Sequence, residues 1–223
     1  MLPKPYYHDE KAGITIYLGD CREILPHLPK VDLVLTDPPY GIGFSEYLSH
    51  EDKQDGYKDF IWGVIEDAEK HVSNGWIVVF QASKMCREWA SIFPREWRLI
   101  ACPKTFVQIY KTDSFDWATD YALFWKIGFP VKAAHSKDWV VSSTADVKNR
   151  PGKGHPCPHH DTQILHIIKT LSHPGQIVLD PFLGSGTTCR IAKDLGRKAI
   201  GIEIEERYCE IAVKRLRQEV LAL

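Results

Sequence analysis

An α/β fold, a mostly parallel sheet with helices on both faces, is predicted by three observations on the 223-residue sequence. Short β-branched runs alternate with helical periodicities, most cleanly from Ile177 to Ala222. Two of those runs stop at turn signals that cannot lie inside a central strand, Asp37-Pro38-Pro39-Tyr40 and Asp180-Pro181-Phe182-Leu183-Gly184-Ser185-Gly186. The composition, 44% hydrophobic and 26% charged, is that of an ordinary globular chain and excludes disordered and fibrous classes. The length suits one such domain and is short for two, so residues 1–223 read as a single domain.

The elements follow in order. Ile14–Tyr17 is a strand ended by Gly19-Asp20, and Arg22–Leu28 has helical spacing. Asp32–Thr36 is a buried-strand pattern that runs into the double proline. Residues 41–56 are polar and form a loop; residues 57–72 form an amphipathic helix. Trp76–Phe80 is a strand and Lys84–Phe93 a helix. Leu99–Tyr110 and Tyr121–Trp125 read as antiparallel strands, and residues 127–154 as irregular chain with strand character only at Trp139-Val140-Val141. Helix Asp161–Leu171, strand Ile177–Leu179, turn Asp180–Gly186, helix Thr187–Leu195, strand Lys198–Ile202 and helix Glu205–Ala222 complete the chain.

Several functions are excluded or disfavoured. No apolar run reaches the ~18 residues of a membrane span, and the first residues lack the apolar core of a signal peptide. The six cysteines never form a CxxC pair, so reduced thiols and a cytoplasmic location are expected. His155, Cys157, His159 and His160 cluster, but no second ligand pair accompanies them and no metal is expected. With a net charge of −1 the chain is no uniformly basic nucleic-acid binder. A local surplus exists in residues 101–153, which hold seven Lys and one Arg against five Asp. Lys104, Lys111, Lys148, Arg150 and Lys153 are the candidate phosphate contacts there.

Two motifs carry the chemistry. In the glycine segment, Gly184 and Gly186 allow a tight strand-to-helix turn, and the free N–H groups beside Thr187 and Thr188 suit an anionic group. No Lys follows, which excludes the ATPase-type phosphate loop. Glu203 ends the next strand, where an acid holds a ribose diol in nucleotide-binding folds. In the other motif, a rigid turn presents the Asp37 carboxylate, the Pro38 carbonyl and the Tyr40 ring. That set can accept two hydrogen bonds from an exocyclic amine while stacking the base that bears it.

Together the motifs resemble the S-adenosylmethionine-dependent DNA amino-methyltransferases. Asp37-Pro38-Pro39-Tyr40 precedes the glycine segment, and this permuted order is similar to the β group acting on adenine N6 and cytosine N4. Further stretches carry the likeness, from Leu18-Gly19-Asp20-Cys21 to Gly196-Arg197 with Gly201-Ile202-Glu203, and the closing helix with Tyr208, Ala212 and Arg215. The resemblance implies a Rossmann-like methyltransferase fold with a seven-stranded, mostly parallel sheet. It implies catalytic roles for Asp37, Pro38, Pro39 and Tyr40. It implies cofactor contacts from Asp20, Cys21, Asp37, His155, Asp180, Phe182, Gly184, Gly186, Thr187, Thr188 and Glu203. Its cofactor would be S-adenosyl-L-methionine, released as S-adenosyl-L-homocysteine, and its partner double-stranded DNA, in a bacterial, archaeal or phage setting. The leading Asp favours adenine N6; cytosine N4, RNA and a catalytically silent nucleic-acid-docking subunit are the alternatives. Residues 129–154 are the short segment left for target recognition. So small a DNA-gripping surface, against the ~1,000–2,500 Å² such interfaces bury, argues for a homodimer.

Overall fold

The computed structural model describes residues 2–39, 57–81, 96–108, 117–131, 133, 134, 136–141 and 161–218. Eight strands form one sheet: β1 (Tyr7–Asp9), β2 (Ile14–Leu18), β3 (Val31–Thr36), β4 (Val72–Gln81), β5 (Arg98–Gln108), β6 (Trp117–Ile127), β7 (Ile177–Asp180) and β8 (Lys198–Glu203). Their spatial order is β1-β2-β8-β7-β3-β4-β6-β5. The five strands from β2 to β4 run parallel, and β6 lies antiparallel between β4 and β5. The seven strands from β2 to β5 meet the expectation; β1 adds an eighth, antiparallel to β2.

Five helices are described: α1 (Cys21–Ile24), α2 (Tyr57–Glu69), α3 (Asp161–Leu171), α4 (Thr187–Asp194) and α5 (Glu206–Arg217). The central strands are buried nearly end to end because helices cover both faces. On one face Leu33, Leu35, Val78 and Val178 pack with Ile164 and Ile168 of α3, Cys189 and Ile191 of α4, and Ala212 and Leu216 of α5. On the other, Val34, Ile77, Val79 and Leu179 pack with Cys21 and Ile24 of α1 and with Ile61 and Ile65 of α2.

Some boundaries differ from the sequence reading, each for a local reason. The helix expected over Arg22–Leu28 is one α turn followed by a 3-10 turn, Leu25–His27, because Pro26 has no N–H to donate back. The last helix ends at Arg217, since Gln218 is already extended. Trp139 makes a single bridge to Ala101 rather than a strand. The register of β3 against β4 shifts between Val31 and Leu33. Gly75 sits at that shift, and a Cβ there would lie 2.1 Å from the Asp32 carbonyl oxygen. Asp32 in turn starts β7 beside β3 by accepting from Gln176 Nε2 at 3.1 Å and the Ile177 N–H at 2.8 Å. The expected loop 41–56 and helix Lys84–Phe93 lie outside the described residues. Among the described residues no helix is long and apolar enough to cross a membrane.

Candidate active site

Five parallel strands bring five polar residues to one edge of the sheet. Reading across, the carboxyl ends carry Asp20 after β2, Glu203 of β8, Asp180 of β7, Asp37 after β3 and Gln81 of β4. The chain leaves β7 through α4 toward β8 and leaves β3 through α2 toward β4. The crevice between β7 and β3 is therefore the topological switch point, where open α/β sheets bind ligands.

The glycine segment is held by its own turns. Asp180 Oδ1 accepts from the Phe182 N–H at 3.1 Å and from Thr36 Oγ1 at 2.9 Å. Leu183 N–H donates to the Ile202 carbonyl, and Gly184 N–H donates to Glu203 Oε2 at 2.8 Å. The other Glu203 oxygen accepts from the Glu205 N–H at 2.9 Å. Backbone bonds from Gly184, Glu205 and Ile204 thus fix the Glu203 carboxylate, and of its about four lone-pair sites it keeps capacity for a further hydroxyl. Gly186 caps α4 at φ +83°, and a Cβ there would meet the Ala212 Cβ at 2.6 Å. Its missing side chain thus faces α5, whereas the sequence reading gave it to the ligand.

Arg215 of α5 clamps this segment, donating to the Ser185 carbonyl at 2.9 Å, Ser185 Oγ at 2.9 Å and Thr187 Oγ1 at 3.0 Å. Tyr208, Ala212 and Arg215 stand at i, i+4 and i+7, one face of a helix, which was the signal in the sequence for this supporting role. Thr188 is buried and bonds to the Asp180 carboxyl, so its hydroxyl serves Asp180. Arg197 serves structure at the opposite end, donating to the Ser172 carbonyl at 2.6 Å and the Leu195 carbonyl at 2.7 Å.

The charges are poised for a cation. Burial raises the Asp180 carboxyl from 3.8 to about 6; hydrogen bonds from Thr188, Thr36 and Phe182 oppose the rise and the charge on Asp37 adds to it. Burial also raises Glu203, against backbone hydrogen bonds that lower it. A positively charged ligand in the crevice relieves both the desolvation and the repulsion. Asp20 differs: a hydrogen-bonded ion pair with Arg22 holds it below the usual carboxylate range. Arg22 lies 4.9 Å above the Phe60 ring, and Phe60 meets Phe182 edge-on at 6.3 Å, giving the crevice an aromatic rim.

Of the expected site residues, Asp20, Asp37, Pro38, Pro39, Asp180, Phe182, Gly184, Gly186, Thr187, Thr188 and Glu203 gather at this edge. Cys21 belongs to the core under α1, where burial pushes its thiol up to about 12. Tyr40, His155, Lys111, Lys148, Arg150 and Lys153 lie outside the described residues, as does the side chain of Lys104 on β5. So do Cys157, His159 and His160 of the histidine cluster. Sequence reasoning missed Thr36, Arg22 and Gln81.

Residues 129–214 match the DNA methylase family. The Type II methyltransferase M.ScaI of Streptomyces caespitosus is 29% identical over 265 residues, spanning 100% of this chain and 86% of its own. The crystal structure of the M1.HpyAVI–SAM complex is similar with a TM-score of 0.74 and 25% identity, over 92% of this chain and 100% of that one. The PvuII DNA methyltransferase, described as cytosine-N4-specific, shares the fold with a TM-score of 0.77 at 17% identity, over 98% of this chain and 91% of its own.

Proposed function

We propose that the chain is an S-adenosylmethionine-dependent DNA amino-methyltransferase, like the proteins it resembles, and that it methylates the exocyclic N6 amine of adenine in double-stranded DNA. The observation that carries the reading is the position of Asp37-Pro38 directly beyond β3, across the switch point from the acid-lined glycine segment. A target amine and a cationic methyl donor can meet there.

The residues present fit the cofactor. Glu203 keeps acceptor capacity for a ribose hydroxyl, Asp180 and Asp37 complement a cation, and Phe182 with Phe60 supplies an apolar wall. S-adenosylmethionine, when bound, supplies a methyl group on a positively charged sulfur. The chain's own part is to activate the nucleophile, the target amine. The adenine amine is weak because its lone pair is delocalised into the ring. Accepting its two hydrogens on the Asp37 carboxylate and the Pro38 carbonyl favours a more tetrahedral nitrogen and frees that lone pair. The Asp37 carboxylate also stabilises the positive charge that develops on nitrogen and accepts the proton it sheds. Fixing the approach at about 3 Å supplies much of the acceleration. A stacked base cannot enter, so the target is flipped out, with Tyr40 as the stacking ring.

Residues 129–154 read the target sequence in this proposal, with Lys104, Lys111, Lys148, Arg150 and Lys153 on phosphates, and a homodimer supplies the remaining interface. Incubation of the chain with S-adenosylmethionine and mixed-sequence duplexes, then digestion to nucleosides, tests the central claim. N6-methyladenine is expected; N4-methylcytosine as sole product, or methylation of RNA alone, refutes it.

A further inference from the structure

Gln81 ends β4 and is 1% exposed, yet neither end of its amide has a hydrogen-bond partner among the described residues. Buried amides are almost always satisfied, and one that is not destabilises the fold. This one sits at the functional edge. Val79 lies opposite Thr36 across β3 and β4, and continuing that register places Gln81 alongside Pro38. Alternation along β4 puts Gln81 on the same face as Ile77 and Val79, and Tyr121 of β6 stands directly across from it. The order at the carboxyl edge is thus Pro38, Gln81, Tyr121, on the base side of the crevice and away from Glu203 and the glycine segment.

From this placement we propose that Gln81 is a specificity-determining residue whose amide donates from Nε2 to the ring nitrogen adjoining the target amine. The inference rests on the proposed DNA amine methylation. It deepens that reading, because Asp37 and the Pro38 carbonyl recognise only an amine, which guanine also carries. A donor beside them requires an amine next to a ring acceptor. Adenine and cytosine meet that requirement. Thymine has no such amine, and guanine presents N1–H on the Watson–Crick side of its amine, where adenine and cytosine present an acceptor, so a donor placed on that side rejects it. In this proposal the amide has no partner among the described residues because its partner arrives with the substrate.

The test uses the full chain, its Gln81→Leu and Gln81→Glu variants, and duplexes carrying adenine, 1-deazaadenine or 7-deazaadenine at the methylated position. Gln81→Leu is expected to bind S-adenosylmethionine with wild-type affinity by calorimetry and to melt no lower than wild type. It is expected to lose about 10-fold or more in kcat/KM. Gln81→Glu keeps the shape without the Nε2 donor and is expected to lose as much. Wild type is expected to suffer a similar loss on 1-deazaadenine and none on 7-deazaadenine, and Gln81→Leu no further loss on 1-deazaadenine; a wild-type loss confined to 7-deazaadenine overturns the assignment. Wild-type kcat/KM in both variants overturns the assignment. A lower melting point in Gln81→Leu, or a deaza penalty that persists in it, also does so, because the amide then serves structure. Each of these leaves wild-type N6-methyladenine formation intact. A wild-type chain that makes none overturns the underlying reading with it.

Discussion

Replacing Asp180 by Asn should stabilise this protein, and more so as pH rises. The carboxyl titrates at about 6 in the folded chain against 3.8 when exposed, because burial penalises its charged form. Between those values the folded state holds more protons than the unfolded state, so stability falls as pH rises. For the single group, linkage gives a penalty of about 2 kcal/mol at pH 5 and about 3 kcal/mol at pH 8. The amide of Asn keeps Oδ1 as acceptor for the Phe182 N–H and the Thr36 hydroxyl, and the Thr188 hydroxyl can turn to accept from Nδ2. Loss of charge assistance in these bonds offsets part of the gain at both pH values and leaves the difference. The ΔΔG of Asp180→Asn should therefore favour the variant by about 1 kcal/mol more at pH 8 than at pH 5, read from urea unfolding of the two proteins. A ΔΔG independent of pH over that range would falsify the claim that Asp180 carries a buried, unrelieved charge. The same variant should bind S-adenosylmethionine less tightly, since the cation loses its counter-charge.

Asp37→Ala should retain cofactor binding and lose methyl transfer; turnover above about a tenth of wild type corresponds to less than ~1.4 kcal/mol, too little for the role proposed. Gly186→Ala should destabilise the fold by about 2–4 kcal/mol, combining a left-handed φ with overpacking against Ala212. Pairing it with Ala212→Gly in a denaturation cycle should recover the clash but leave the backbone strain, and a coupling energy near zero contradicts the packing assignment. Light scattering should show a species of twice the 25.5 kDa chain mass, alone or with DNA; a clean monomer in both conditions excludes the homodimer.

The parallel centre of the sheet was legible because each strand there is a buried apolar run stopped by Gly, Pro or Asp. β1 was not, since Tyr7-His8-Asp9 has neither an apolar run nor alternation; it is held by its hairpin to β2 and by the Lys193–Asp9 ion pair at 3.0 Å. Glu203 and Asp180 were legible because strand ends collect acids in register. The division of labour among the glycines and hydroxyls was not. Gly186 reads like a ligand-facing glycine, and only the approach of α5 shows that it answers to Ala212. Thr188 likewise gives no local sign that it serves Asp180. Gln81 escaped notice because a single polar residue ending an apolar strand looks like a solvated edge, and its burial is a tertiary fact.

The strand order also governs synthesis. β7 and β8 sit between β2 and β3, yet they follow β3 by more than a hundred residues in the chain. On a ribosome adding roughly 5–20 residues each second, β2 and β3 wait about 7–30 s with facing edges unpaired. Both are strongly apolar, and an unpaired apolar edge recruits any strand that offers itself. A nascent chain stalled before Ile177 is thus a templating surface with no partner of its own. Chaperone capture or aggregation should concentrate in that interval, and the acid-lined crevice closes only when Glu203 has emerged.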